Sequence, residues 1–328
     1  PGTEGAVQPD FDENGNVDPL HALSVQLANE NTVVIRYSTR GFTDPIKCLN
    51  RRHPSDKNYV KYCVDQEVRS TVDFQSLDSD FQHVFRWTKK YAEKNNINDL
   101  TIVGVSEGMF HIARSAESVD LRGIPIIGIG APLGSPYDVF KWQISSEYFF
   151  SKAEELLARS SRDYINIDDI ARLPNGKIDQ RILAAASSIF HINLIDRHRV
   201  AEARTEALDN FYRMRSEILS SDRHKKRMMV RNNEQQFVGT NNGYFSDAFS
   251  DTISVSERLS DASLVNISFI YGHLDIQLPI HEYEILHGKY QRIFLNNVGH
   301  VLVGADGLAS SSAIAFVIKE LEIIWKTK

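Results

Sequence analysis

The chain has 328 residues, 42% of them hydrophobic and 24% charged, with a net charge of −6, so it can bury a sizeable core as one large domain or two ordinary ones. No run approaches the ~18 apolar residues of a membrane-spanning helix, and the acidic balance leaves no global basic footprint for nucleic acid. Its two cysteines, Cys48 and Cys63, fall in one loop-like stretch. They fit a disulfide in an oxidising compartment or two thiols in a reducing one, so the compartment stays open between cytoplasmic and extracytoplasmic.

Residues 1–9 are turn-rich, begin with proline and show no signal peptide, as in a processed or incomplete chain. Asp10 to Asp18 places side-chain oxygens at alternating positions around Gly15, as a calcium loop does, but His21 stands where such a loop needs a bidentate glutamate. The plainer reading is a polar loop whose Asp18 caps a helix with Pro19 at its first position, and no metal site is expected. Leu20, Leu23, Ser24 and Leu27 give that helix its buried face. The run from Thr32 to Tyr37 reads as a buried strand, and residues 43–72 as an irregular polar stretch. A long helix is predicted over 74–94, with Phe74, Leu77, Phe81, Val84, Phe85, Thr88 and Tyr91 on one face.

Leu100 to Val105 is a short apolar run that stops at Gly104-Val-Ser-Glu-Gly108, a G-x-S-x-G pattern, and then takes on helical periodicity to about Ser118. Such a sequence can present a serine hydroxyl on a sharp strand-to-helix bend. Gly123 to Gly130 reads as a further buried strand. Over residues 136–262 the alternation pauses, with helix-like segments near 146–160, 180–190 and 200–219 and no convincing buried strand. An excursion of that length is too long for a loop and reads as a helical subdomain. Alternation resumes with a strand over 265–272, a helix over 279–288, a strand over 292–295 and a closing helix over 311–325. Strands alternating with helices imply a mostly parallel, doubly wound α/β sheet covered on both faces.

A serine nucleophile needs a base to take its proton and an acid to orient the base. In doubly wound sheets these groups sit on loops at the carboxyl ends of strands. Asp275 lies just past one predicted strand, in Tyr271-Gly-His-Leu-Asp275, and His300 past the last one, in Asn296-Asn-Val-Gly-His300. Asp138 is the alternative acid, and His273 reads as structural or pocket-lining.

Together these segments resemble the α/β-hydrolase superfamily, serine hydrolases with an inserted helical cap. The strand, elbow and helix of that fold look like Leu100 to Ser118, its acid turn resembles Gly272 to Pro279, and its terminal Gly-His resembles Gly299-His300. Tyr37 to Gly41 resembles its Tyr-Asp-x-Arg-Gly segment, with Ser38 in place of the aspartate. The resemblance divides the chain into an N-terminal core part (1–135), a helical cap (136–262) and a C-terminal core part (263–328). It makes Ser106 the nucleophile, His300 the base and Asp275 the orienting acid. The oxyanion donors it implies are the backbone N–H groups of Glu107 and of Thr3, the latter in a segment resembling the end of a His-Gly turn. In that fold the strand before the oxyanion turn lies within the sheet, so a segment upstream of Pro1 is expected to complete it.

The implied activity is hydrolysis of a carboxylic ester through an acyl-enzyme, without a cofactor. The alternatives are an aminopeptidase-type peptidase and a binding module that keeps the fold without turnover. The expected partner is a small ester or short peptide, not nucleic acid, and no membrane span is expected. The Glu107 side chain can be hydrogen-bonded within the elbow, hold a substrate cation or be solvated, the first being preferred. Arg223 to Met229 reads as a solvated basic helix face, and Phe140, Trp142, Tyr148, Phe149 and Phe150 as lining an acyl pocket or forming the cap's own core.

Overall fold

The computed structural model describes residues 19–29, 31–37, 39–41, 64–231, 235–264, 266–280, 283, 290–304 and 309–326. Its centre is a four-stranded parallel sheet of β1 (Ile102–Val105), β2 (Ile126–Ile129), β7 (Ile267–Gly272) and β8 (Gln291–Leu295), in that order. Val105 pairs with Ile129, Ile129 with Ile270, and Gly272 with Leu295, so the carboxyl ends of all four strands emerge on one edge. β1 is the outer strand of the described sheet, and Val103 on it is 36% exposed.

Side chains alternate across the sheet, and each face gathers its own helices. Ile126, Ile267, Phe269 and Tyr271 point into a core with α3 (Phe74–Lys94) and α4 (Gly108–Ser115). Ile127, Ile129 and Ile270 point the other way, against α1 (Pro19–Leu27) and the closing helix α12 (Ser311–Lys326). The architecture is thus α/β, parallel and wound on both faces. α3 starts at a capping box in which Asp73 accepts from the Ser76 N–H (2.8 Å) and Ser76 Oγ accepts from the Asp73 N–H (3.0 Å). Its predicted apolar face is the one that is buried, through Phe74, Leu77, Phe81 and Phe85.

Between β2 and β7 the chain leaves the sheet. α6 (Glu147–Arg159), α7 (Ile167–Ile170), α8 (Gln180–Phe190) and the start of α9 (Arg197–Ser220) enclose a separate core of Phe149, Phe150, Leu157, Ile170, Phe190 and Val200. By contrast Val139 of α5 (Pro136–Ile144), Tyr244 and Ala248 of α10 (Asn242–Ser250), and Val255 and Leu259 of α11 (Val255–Asp261) belong to the same core as α3 and α4.

Three expectations about elements need correction. Thr32 to Tyr37 forms no strand: only Thr32 bridges to Asn29, and Val33 is 55% exposed. A β-branched run becomes a strand only where a partner edge takes up its backbone groups, and periodicity does not report that partner. The helical excursion also contains strands, the pair β3 (Tyr164–Asn166) and β4 (Leu194–Asp196) and a hairpin of β5 (Lys226–Arg231) and β6 (Gln235–Asn241). The basic run is therefore a strand after a turn instead of a helix face, because Lys226 to Arg231 finds an antiparallel partner in β6. Residues 279–288, expected as a helix, lie mostly outside the described residues.

Candidate active site

The G-x-S-x-G stretch makes a tight turn between β1 and α4. A Cβ on Gly104 would lie 2.7 Å from Ile112 Cδ1 and 3.0 Å from Met109 Sδ, so a side chain there would have to displace the ends of two α4 side chains that pack over β1. The Ser106 N–H donates to Ile129 O (2.9 Å), continuing the sheet ladder, while Ser106 O accepts from the Met109 N–H (3.1 Å), starting the helix. Serving both ladders in one residue forces Ser106 to a left-handed φ of 48°, at a cost on the order of 1–3 kcal/mol for a residue with a Cβ. The hydroxyl therefore stands at the carboxyl edge of the sheet, beside the N-terminus of α4.

Asp275 and His300 follow the next two strands. A Cβ on Gly272 would lie 2.0 Å from Val298 O, so the two loops cross backbone against backbone. The Leu274 N–H donates to Val298 O (2.9 Å) and the His273 N–H to Leu295 O (3.0 Å), tying the loops together. From α5, Trp142 Nε1 donates to Ile276 O (3.2 Å) and Gln143 Nε2 to Gln277 O (3.2 Å). The acid loop is thus gripped from the sheet and from the helical region.

The structure places His300 within hydrogen-bond distance of both Ser106 and Asp275. His300 Nδ1 lies 2.7 Å from Asp275 Oδ2, and His300 Nε2 lies 2.8 Å from Ser106 Oγ. With Asp275 ionised, Nδ1 carries the proton and donates to it, which leaves Nε2 to accept from the serine hydroxyl. Asp275 Oδ1 accepts from the Gln277 N–H (2.8 Å). Its carboxylate is fully buried, while the imidazole keeps 15% exposure.

Asp138, the alternative acid, is engaged elsewhere: its Oδ2 accepts from Ser135 Oγ (2.6 Å), whose oxygen caps the start of α5. His273 is exposed, with its ring 5.7 Å from that of Phe294. Thr3 lies outside the described residues, as do the calcium-like loop and both cysteines. Arg40, of the Tyr37 to Gly41 segment, binds Asp80 on α3 with Nε 2.8 Å from Oδ2. Phe140 packs edge-on against Tyr244, Phe245 and Phe249, and Phe149 and Phe150 belong to the separate helical core, so these rings act as packing.

The Glu107 side chain is hydrogen-bonded beneath the elbow, as preferred from sequence, but sequence reasoning missed its partners there. Glu107 accepts from Tyr244 Oη (2.6 Å) and faces His111 Nε2 at 3.4 Å; His111 Nδ1 lies 2.8 Å from Asp78 Oδ1. Arg114 Nε donates to Asp78 (2.8 Å) and its Nη1 binds Asp251, which also accepts from Arg258 (2.8 Å). Burial by itself lowers the pKa of the His111 imidazole, but its hydrogen bonds to Asp78 and Glu107 and their charge prevail and hold it above its ordinary value. Arg69 is fully buried; burial lowers its pKa to about 10, against the opposing charge effects of Glu107 and Tyr244. The one local signal was the i,i+4 spacing of Glu107 and His111 on a helix. Among the described residues no cluster of three or more His, Cys, Asp or Glu is placed to hold a metal ion, and no helix is long and apolar enough to cross a membrane.

No protein-family model and no curated protein matches the chain. Among solved structures it is similar to a carboxylesterase from the ammonia-oxidizing thaumarchaeon Nitrososphaera gargenis, with 16% identity over 79% of this chain and 75% of that one and a TM-score of 0.35. It is also similar to the alpha/beta hydrolase GrgF from Penicillium sp. sh18, with 15% identity over 79% and 73% and a TM-score of 0.36. A proline iminopeptidase from Mycobacterium smegmatis aligns with 15% identity over 71% and 68% and a TM-score of 0.33.

Proposed function

We propose that this chain has the α/β-hydrolase fold and is a serine hydrolase that cleaves carboxylic esters through an acyl-enzyme on Ser106. The observation that carries the reading is the position of His300, 2.8 Å from Ser106 Oγ and 2.7 Å from Asp275. In this reading Ser106 Oγ attacks the ester carbonyl while its proton passes to His300 Nε2, and Asp275 stabilises the imidazolium that forms. The backbone N–H of Glu107, at the start of α4, donates to the developing oxyanion, and Thr3 is the candidate for the second donor. Losing one such donor costs about 3 kcal/mol of transition-state stabilisation. Collapse expels the alcohol, which takes the proton from His300; water then attacks the acyl carbonyl with His300 again as base, and the carboxylic acid leaves.

Ester cleavage is proposed ahead of peptide cleavage. In the helical region Glu147 binds Arg204 (2.7 Å) and Asp138 accepts from Ser135 Oγ. The test is labelling by a fluorophosphonate probe together with turnover of p-nitrophenyl esters and of amino-acid p-nitroanilides. Labelling and ester turnover are expected, both lost in Ser106→Ala. Folded full-length protein that neither labels nor turns over would leave a binding module; faster anilide than ester turnover would make it a peptidase.

A further inference from the structure

Tyr244 lies in α10, far along the chain from the elbow, yet its hydroxyl reaches the side chain of the residue that follows Ser106. The Oη to Glu107 Oε1 distance is 2.6 Å across a sequence separation of 137 residues. Tyr244 is 1% exposed, and its ring meets Phe74 edge-on at 4.9 Å and Phe245 at 5.1 Å. Its own N–H donates to Asn241 Oδ1 (3.1 Å), and Asn241 Nδ2 donates to Ser70 O (3.0 Å). Thr240 Oγ1 donates to Val72 O (2.7 Å), which fastens the same end of α10 to the entrance of α3. The hydroxyl is therefore delivered from a rigid, dry mount.

Glu107 holds two parts of the turn at once: its side chain points into the buried cluster, while its peptide N–H adjoins Ser106. A carboxylate in low dielectric is held where its donors are, because leaving it with fewer of them is costly. Moving those donors moves the peptide plane with the side chain. We propose that Tyr244 is a positioning residue, which holds the Glu107 carboxylate and through it the orientation of the backbone N–H that receives the oxyanion. The helical excursion is by this account part of the catalytic framework at α10, where it sets the elbow. The proposal rests on the serine-hydrolase reading. His111 of α4 also faces Glu107, with Asp78 of α3 and Arg114 behind His111, and the charge of Glu107 acts on Arg69 of α2 (Gln66–Arg69).

The test uses the full chain, with p-nitrophenyl acetate for steady-state kinetics and a fluorophosphonate for the labelling rate. Tyr244→Phe keeps the ring and removes only the hydroxyl. It is expected to lower kcat and the labelling rate about tenfold with KM within twofold, since the lost orientation matters at the charged transition state. Glu107→Gln keeps an acceptor for Tyr244 while removing the charge, and is expected to lose less than Tyr244→Phe. A Tyr244→Phe protein with the kcat of the parent, or with its loss in KM alone, would overturn the proposal. So would a Glu107→Gln protein that loses more than Tyr244→Phe, which would make charge and not this hydrogen bond the positioning agent; if Tyr244→Phe does not fold, Glu107→Gln serves by its own kcat, a loss well under tenfold supporting the proposal and a loss of about tenfold or more overturning it. An unmodified chain that neither labels nor turns over would instead sink the serine-hydrolase reading on which the proposal stands.

Discussion

His111 is 1% exposed and set between two carboxylates, so its protonation is tied to the folded state. Its pKa is raised on folding, so the stability it contributes is fully present below the unfolded value of about 6.5 and is lost as pH rises through the higher folded value. The groups facing it are Asp78 and Glu107, with Arg114 behind Asp78. Denaturation in urea is therefore expected to show the stability gap between the parent and His111→Gln shrinking from pH 6 upward. An equal gap at pH 6 and pH 9 would mean that the buried imidazole takes up no proton on folding. The residue scale also shows what a sequence can and cannot disclose. Ser106, Asp275 and His300 each carry a local sign, a turn or glycine pattern at the end of an apolar run. Asp78 and Tyr244 carry none, because what defines them is a partner 33 residues away in one case and 137 in the other.

At the scale of elements, the elbow concentrates strain where the hydroxyl is presented. A left-handed φ at Ser106 disfavours any residue with a Cβ, and glycine is the one residue that adopts it without steric cost. Ser106→Gly and Ser106→Ala both remove the hydroxyl, so both are expected to be inactive. Their difference isolates the backbone term: the glycine variant is expected to be more stable than the alanine variant by about 1 kcal/mol in urea denaturation. Equal stabilities, or a more stable alanine variant, would mean that the turn is not strained at this residue. Elements also mark the limit of periodicity. The long α3 was legible to its ends because its apolar stripe is a property of neighbouring residues. Thr32 to Tyr37 and Lys226 to Arg231 were misread in opposite directions, since pairing with another edge decides whether a run becomes a strand. Local chemistry carries no record of that edge.

On the scale of the whole molecule, the helical excursion falls into two parts with different attachments. α5, α10 and α11 share the core of the sheet and reach the site through Trp142 and Tyr244, whereas α6 to α8 close around their own core. Phe150 is central to that second core, fully buried with its ring 5.7 Å edge-on from Phe190. Truncating a buried phenylalanine typically costs about 3–5 kcal/mol. Because a separate core can open without the rest, that cost should be felt locally. In Phe150→Ala, amide hydrogen exchange is expected to accelerate in α6, α8 and the first half of α9, while β2, α3 and α4 keep their protection and Ser106 still labels with a fluorophosphonate. The second half of α9 should report the boundary, since Phe211 and Ile218 pack with Phe249 against the part fixed to the sheet. Loss of protection throughout the sheet as well would mean that the two cores unfold as one unit, and the outer helices would then be as integral to the elbow as α10.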